Sequence, residues 1–173
     1  MITYKYNINH IALNEYERLV IIMPISDINI YTLKQVRAKR RRYDLEGCRI
    51  TCPLACYTTL QFILDLKSEP VEKFGIIALN TKRDINGVHI ICIGSLNHTI
   101  IQPREVFMAA MMNNASAIIA FHNHPSGDPS PSQDDLMLTQ RLKEAGNIIG
   151  IPLIDHMITG NEKYISLKEI GKF

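Results

Sequence analysis

Apolar and polar positions alternate with a period of two in two early segments of the chain, residues 1–9 and 28–36. The apolar positions of the first segment are Ile2, Tyr4, Tyr6 and Ile8. This period is typical of strands with one buried face. The first part of the chain is therefore predicted to be rich in β-structure.

Three later segments carry apolar positions at helical spacing. The first begins at Pro53, a residue suited to the first helical turn, and is predicted to run to about residue 66. A second helix is predicted from Pro103, with Glu105 close to its positive end. A third follows Ser132, because Asp135 three residues later resembles a capping box, and it is predicted to reach about residue 147.

Apolar runs of strand length lie between these helices. They are predicted as strands over Phe74–Leu79, Val88–Ile93, Ala117–Phe121, Ile151–Ile158 and Tyr164–Leu167. The pair Asn86-Gly87 predicts a turn that joins the first two strands in a hairpin. Gly160-Asn161 predicts the turn before the last strand. The interleaving of strands and helices predicts a layered domain of the α/β or α+β class.

Composition and charge narrow the class of protein. The chain has 173 residues, 46% of them hydrophobic, which is enough for one domain with a full core. The net charge of +2 gives no overall field that would indicate a nucleic-acid or membrane binder. The longest early apolar run, Leu19–Ile25, is too short to span a bilayer, and no secretory signal is recognised. A cytoplasmic location without membrane association is predicted.

A basic run lies between Lys34 and Arg42 and holds six Lys or Arg in nine positions. One interpretation is a phosphate-binding strip centred on Lys39, Arg40, Arg41 and Arg42. The other is a solvated edge strand whose charges discourage unwanted pairing, and this second interpretation is favoured.

Two histidines and two aspartates flank the Pro- and Gly-rich loop after Phe121. Residues two apart in a strand share a face, so His122 and His124 can converge on one point. Asp134 and Asp135 lie about 100° apart on the predicted helix, so only one of them can face the histidines. Two imidazoles with a third ligand and an open position are typical of a catalytic zinc site. The alternative is a set of polar loop residues that only caps the helix.

His156 follows Asp155 inside a predicted apolar strand. The pair could orient a metal ligand. A buried, hydrogen-bonded structural histidine is the favoured interpretation.

The spacing HxHx7SxxD, met by His122, His124, Ser132 and Asp135, resembles the JAMM motif of JAB/MPN domains. The fuller string HNHPSGDPSPSQDD is similar to the RadC-like branch of those domains, and the similarity covers roughly residues 45–173. It implies a JAB/MPN-like, cytidine-deaminase-like layered fold with a central mixed β-sheet flanked by helices. The domain is assigned to residues 28–173, and residues 1–27 are assigned to an amino-terminal extension that is partly β.

The resemblance also implies the roles of the site residues. One zinc ion per chain is expected to be bound by His122, His124 and Asp135. Ser132 is expected to support a developing oxyanion. Glu72, just before a buried strand, is expected to be the general base, with Glu69 as the alternative.

A zinc-dependent hydrolase of the JAMM metalloprotease type follows from these roles, with a peptide or isopeptide bond in a protein substrate as its target. Zinc with three protein ligands brings the pKa of its bound water to about 7, which makes hydrolysis feasible at neutral pH. Because RadC-like proteins are associated with DNA repair and recombination and with mobile elements, the alternative is a nucleic-acid accessory protein that binds through residues 39–42. A non-catalytic scaffold is a third hypothesis, and a homodimer through an exposed strand edge is compatible with the pattern.

Overall fold

A computed structural model of the chain describes residues 49–94 and 101–173. The predicted strands within residues 1–9 and 28–36 and the basic strip at residues 39–42 lie outside the described residues. The boundary between residues 27 and 28 also lies there, so the division into an extension and a domain stays a prediction.

Three helices and five strands form the described domain. The helices are α1 (Pro53–Leu64), α2 (Pro103–Met112) and α3 (Gln133–Ile149). The strands are β1 (Lys73–Leu79), β2 (Ile85–Ile93), β3 (Ala117–Asn123), β4 (Leu153–Thr159) and β5 (Tyr164–Ser166). The predicted class, a mixed α/β domain, is confirmed.

The strands form one mixed sheet in the order β2-β1-β3-β4-β5. Strand β1 is antiparallel to both β2 and β3, whereas β3 and β4 are parallel and β5 is antiparallel to β4. The parallel pair needs a crossover connection, which α3 supplies. The carboxyl end of β3 therefore leads through one loop directly to the start of α3.

Both faces of the sheet are covered, so β1 and β3 are buried on both sides as their apolar runs predict. On one face Phe74, Ile76, Ile118 and Ala120 pack with residues of α2 and α3. On the other, alternate residues of the same strands pack with Cys56 and Leu60 of α1. Because the side chains of a strand alternate between faces, His122 of β3 points to the same side as Ala120, toward α3.

The predicted hairpin of β1 and β2 is present, but the predicted turn at Asn86-Gly87 is wrong. The chain turns at residues 80–84, where Oδ1 of Asn80 accepts hydrogen bonds from the backbone N–H of Lys82 at 2.8 Å and of Asp84 at 2.9 Å. Arg83 adopts a left-handed φ of 66° in this turn. An asparagine side chain that bonds the backbone two residues on is a turn former in its own right.

Asn86 and Gly87 lie inside β2 instead. Gly87 pairs with Ala78 of β1, and the register shifts at the next position. A Cβ on Gly87 would lie 2.5 Å from Oδ1 of Asn113, at the end of α2. The glycine therefore lies against the side chain of Asn113 and not in a turn.

The remaining differences concern element ends. Helix α1 ends at Leu64 because Asp65 adopts a left-handed φ of 50°, and a short 3-10 turn follows it. Strand β4 begins at Leu153, two residues later than predicted. Within residues 49–94 and 101–173, none of the helices is both long and apolar enough to cross a bilayer. A cytoplasmic location stays a prediction.

Candidate metal centre

The candidate metal centre lies where β3 ends and α3 begins. His122 is the penultimate residue of β3, His124 follows the strand, and Asp135 lies in the first turn of α3. One ligand atom from each of these residues lies within 4.8 Å of the other two. The structure thus brings the three predicted ligands together in a group that could hold a metal ion.

The spacing of these atoms suits zinc. The Nε2 atoms of His122 and His124 are 3.0 Å apart. Oδ1 of Asp135 is 3.2 Å from the first of them, and its Oδ2 is 3.6 Å from the second. Four ligands at zinc bond lengths of about 2.0–2.1 Å form a tetrahedron whose edges are about 3.3 Å. The two histidine nitrogens and the carboxylate of Asp135 therefore lie at separations close to the edge length of such a tetrahedron.

Burial and hydrogen bonding shift the pKa values of the candidate ligands in opposite directions. His122 and Asp135 are buried, whereas His124 is partly exposed. Burial raises the pKa of Asp135, but hydrogen bonds with His122 and His124 outweigh it and hold that pKa below its usual range. The hydrogen bond to Asp135 raises the pKa of His124 despite its partial burial. The carboxylate is thus ionised and attracts a cation, either a proton on His124 or a metal ion.

The orientation of His124 is fixed by the backbone. Its Nδ1 lies 2.8 Å from the carbonyl oxygen of Asp128, and since a carbonyl can only accept, Nδ1 carries the donated proton. The neutral ring then has its lone pair on Nε2, the atom that faces the other ligands. Oδ1 of Asp128 accepts hydrogen bonds from the N–H and hydroxyl of Ser130, so this aspartate shapes the loop.

Helix α3 begins with the predicted capping box. The backbone N–H and the hydroxyl of Ser132 both lie 2.7 Å from Oδ2 of Asp135, and the Ser132 hydroxyl accepts from the backbone N–H of Asp135 at 3.2 Å. The cap therefore orients a candidate ligand. The hydroxyl proton of Ser132 is donated to Asp135 in this arrangement, and the oxyanion role of Ser132 stays a prediction.

His156 is buried and hydrogen-bonded, but its partner is a candidate ligand. Its Nε2 lies 2.9 Å from Nδ1 of His122, and its Nδ1 lies 2.6 Å from Oγ1 of Thr139 on α3. Burial lowers the pKa of His156 well below the usual histidine value, so the ring is neutral. The contact follows from the parallel pairing of β3 and β4, in which Ile158, two residues along, is the partner of His122. Sequence reasoning gave a contact with a ligand only as the less favoured interpretation, because strand order is not evident from a single strand.

Glu72 lies on the wall of a cleft that opens over two of the candidate ligands, His124 and Asp135. The cleft has a volume of about 270 Å³ and is lined by Glu72, His124, Pro125, Ser126, Ser132, Asp134 and Asp135. Phe74 pairs with His122 across the antiparallel β1–β3 pair, so residue 72 lies beside residue 124. Glu69, the alternative base, forms an ion pair with Lys73 and does not line this cleft. Glu72 therefore lies close to the candidate ligands, and its role as general base stays a prediction.

Asn123, between the two histidines, holds the segment that carries Glu72. As its neighbours face α3, its side chain points to the other face of the sheet. Its Oδ1 accepts from the backbone N–H of Lys73 at 2.8 Å, and its Nδ2 donates to the carbonyl of Val71 at 3.1 Å. Sequence reasoning did not assign this residue a role, although the period of two places it opposite the candidate ligands.

Asn123→Ala should lower the free energy of unfolding by about 1–3 kcal/mol, because it removes two part-buried hydrogen bonds to the backbone. Metal affinity should be retained, since Asn123 contacts no ligand atom. Chemical denaturation of the metal-free protein measures the change. The matched control is Asn161→Ala, an exposed asparagine, for which we expect a change within about 0.5 kcal/mol. Equal stability of the two variants would show that Asn123 is not a clamp.

Zinc affinity should rise with pH in the region above 6.5, the ordinary histidine pKa. Because the hydrogen bond to Asp135 raises the pKa of His124, this ring still carries a proton at a pH where a free histidine has lost it. A metal binds only the unprotonated Nε2, so binding must release the proton and affinity falls as pH falls. Chelator competition over a pH series measures the trend. An affinity that does not change with pH would contradict it.

The mixed sheet and the group of two histidines and an aspartate at a strand end define a class, the α/β domains with a candidate metal site at a strand-to-helix junction. A family model described as the RadC-like JAB domain matches residues 50–172. The chain belongs to this family. The resemblance and the fold class predicted from the sequence are both confirmed.

Curated relatives agree with this assignment. A UPF0758 protein of Caldanaerobacter subterraneus is 41% identical over 177 residues, covering 100% of this chain and 75% of the relative. One of Methanosarcina mazei is 36% identical over 171 residues, 96% of this chain and 74% of the relative. One of Listeria welshimeri is 57% identical over 102 residues, 59% of this chain and 46% of the relative. The match thus spans about half the length of the Listeria relative.

Proposed function

We propose that the protein is a zinc-dependent hydrolase of the JAMM type that cleaves a peptide or isopeptide bond. The observation that carries the proposal is the group of two imidazole nitrogens and one carboxylate with N–N and N–O separations of 3.0–3.6 Å, beside a cleft that has the carboxylate of Glu72 on its wall. Two imidazole nitrogens and one carboxylate are a donor set typical of catalytic zinc, because three protein ligands leave one coordination position open.

His122, His124 and Asp135 would hold the ion. When bound there, zinc lowers the pKa of a water molecule to about 7 and polarises the carbonyl of the substrate. The protein supplies what this chemistry needs around it. The carbonyl of Asp128 directs Nε2 of His124 to the ion, and the capping box directs the carboxylate of Asp135.

Glu72 would carry the protons of the reaction. Its carboxylate would accept a proton from the attacking water and return it to the leaving amine, a general acid-base role worth about 10²- to 10⁴-fold in rate. The bonds made by Asn123 fix the segment that carries it. Ser132 would assist the developing oxyanion only if its hydroxyl turned away from Asp135.

Metal analysis and an unbiased peptide-hydrolysis screen test this proposal together. The purified protein should contain about one zinc per chain, and cleavage in the screen should disappear after chelation and return with zinc. Protein that takes up no zinc when it is supplied would exclude the metal site. A zinc-loaded protein without any cleavage activity against peptides and isopeptide-linked conjugates would exclude the hydrolase.

Binding of nucleic acid is the second candidate, and it rests on the basic residues Lys39, Arg40, Arg41 and Arg42. If they contact phosphates, affinity for DNA should fall with rising salt and with replacement of Arg40, Arg41 and Arg42. Absence of a salt-sensitive complex would exclude this function. The protein partner, a homodimer and the cytoplasmic location are likewise proposals.

A further inference from the structure

A line of buried hydrogen bonds joins two of the candidate ligands behind the metal centre. It runs from the backbone carbonyl of Asp135 through Thr139 and His156 to the ring of His122. Thr139 is 2% exposed and both rings are 0% exposed, so in the free protein these groups bond with each other and not with bulk water. The direction of each bond can be worked out from the first.

The hydroxyl of Thr139 determines which atom donates in each hydrogen bond of this line. Its Oγ1 lies 2.6 Å from the carbonyl oxygen of Asp135, and since two oxygens this close need a proton between them, the hydroxyl donates there. A hydroxyl has only one proton, so toward His156 it can only accept. The contact of 2.6 Å between Oγ1 and Nδ1 of His156 therefore requires the proton to lie on Nδ1.

The same reasoning passes through His156 to the candidate ligand. A neutral imidazole with its proton on Nδ1 has a lone pair on Nε2. This Nε2 lies 2.9 Å from Nδ1 of His122, so Nδ1 of His122 must donate. The nitrogen of His122 that remains for a metal ion is then its Nε2, the atom that faces His124 and Asp135.

We propose that Thr139 and His156 are positioning residues that hold His122 in the tautomer able to bind the metal. The inference rests on the proposed zinc site, but its physical claim concerns protons of the metal-free protein. His124 obtains the same tautomer from a different source, the carbonyl of Asp128. The two rings therefore form a matched pair in which only one depends on Thr139.

Thr139→Val tests the proposal because valine keeps the shape and removes the hydroxyl. Nδ1 of His156 then has no acceptor, and its proton is better placed on Nε2, where it donates to His122. The proton of His122 moves in turn to Nε2, the face that the metal needs. We expect zinc affinity to fall about 10- to 100-fold, the usual effect of losing such an outer partner.

Thr139→Ser is the conservative control, because it restores the hydroxyl and should restore affinity. Nitrogen-15 NMR of metal-free protein at mildly alkaline pH reads the tautomers directly. In the wild-type protein and Thr139→Ser, the proton of His122 should lie on Nδ1. In Thr139→Val it should lie on Nε2, while His124 keeps its proton on Nδ1 in all three proteins.

The outcomes separate this inference from the proposed function. If wild-type protein binds zinc but Thr139→Val shows the same affinity and the same tautomer of His122, the inference is overturned and the metal site stands. If no protein binds zinc, the proposed function fails, and the NMR spectra still decide the tautomer claim. Should Thr139→Val not fold, a wild-type His156 with its proton on Nε2 would overturn the inference by itself.

Discussion

Asp135→Asn should abolish stoichiometric zinc binding. The carboxylate of Asp135 faces Nε2 of both His122 and His124 and carries the negative charge that attracts the cation. Asparagine keeps the shape but removes the charge and replaces one oxygen by a hydrogen-bond donor. We expect metal content to fall from about one per chain to near zero, a greater loss than the roughly 10- to 100-fold effect of an outer partner.

Asp134→Asn is the matched control, because it removes the same charge from the neighbouring position of α3. Asp134 lines the cleft but does not belong to the group of candidate ligands. The Asp134→Asn variant should therefore keep its zinc. Metal analysis of both variants after purification and zinc loading gives the comparison, and thermal melting verifies that both fold. Stoichiometric zinc in Asp135→Asn would remove this residue from the ligand set.

Glu72→Gln should keep its zinc and lose hydrolysis by about 10²- to 10⁴-fold. Glutamine has nearly the shape of glutamate but cannot accept a proton at neutral pH. Since Glu72 lies outside the group of candidate ligands, metal affinity should not depend on its charge. The rate constant for cleavage of a peptide found in the screen measures the effect, alongside metal content.

Glu69→Gln controls for the loss of a carboxylate from the same segment. Glu69 was the alternative base, but it pairs with Lys73 and lies away from the cleft. The Glu69→Gln variant should retain most of the wild-type rate of hydrolysis. If Glu69→Gln is the inactive variant and Glu72→Gln is active, the base has been assigned to the wrong glutamate.

The secondary structure was predictable wherever it depends on local patterns. The buried strands β1 and β3 and the helices starting at Pro53 and Pro103 follow from apolar periodicity and proline placement. The position of the hairpin turn was not predictable, because Asn86-Gly87 is the stronger turn signal in the sequence. The actual turn depends on the side chain of Asn80, and Gly87 lies where the side chain of Asn113, at the end of α2, approaches β2. That contact depends on the folded chain and leaves no local pattern.

The candidate site likewise contains residues that local patterns predict and residues that depend on the strand order. His122, His124 and Asp135 lie within one strand, loop and helix start, so the period of a strand and the rules of helix capping bring them together. His156 meets His122 only because β4 lies parallel to β3. Asn123 likewise acts through the pairing of β3 with β1. The grouping of the candidate ligands could therefore be predicted from the sequence, with Asp135 chosen over Asp134 through the JAMM resemblance, whereas the contacts that orient the candidate ligands required the strand order.

A crystal of the protein grown with zinc, measured on both sides of the zinc absorption edge, tests the central claim most directly. We expect one strong anomalous peak per chain, about 2.0–2.2 Å from Nε2 of His122, from Nε2 of His124 and from a carboxylate oxygen of Asp135. A map without a peak at this strand-to-helix junction, or with zinc bound only elsewhere, would contradict the metal centre and the hydrolase built on it.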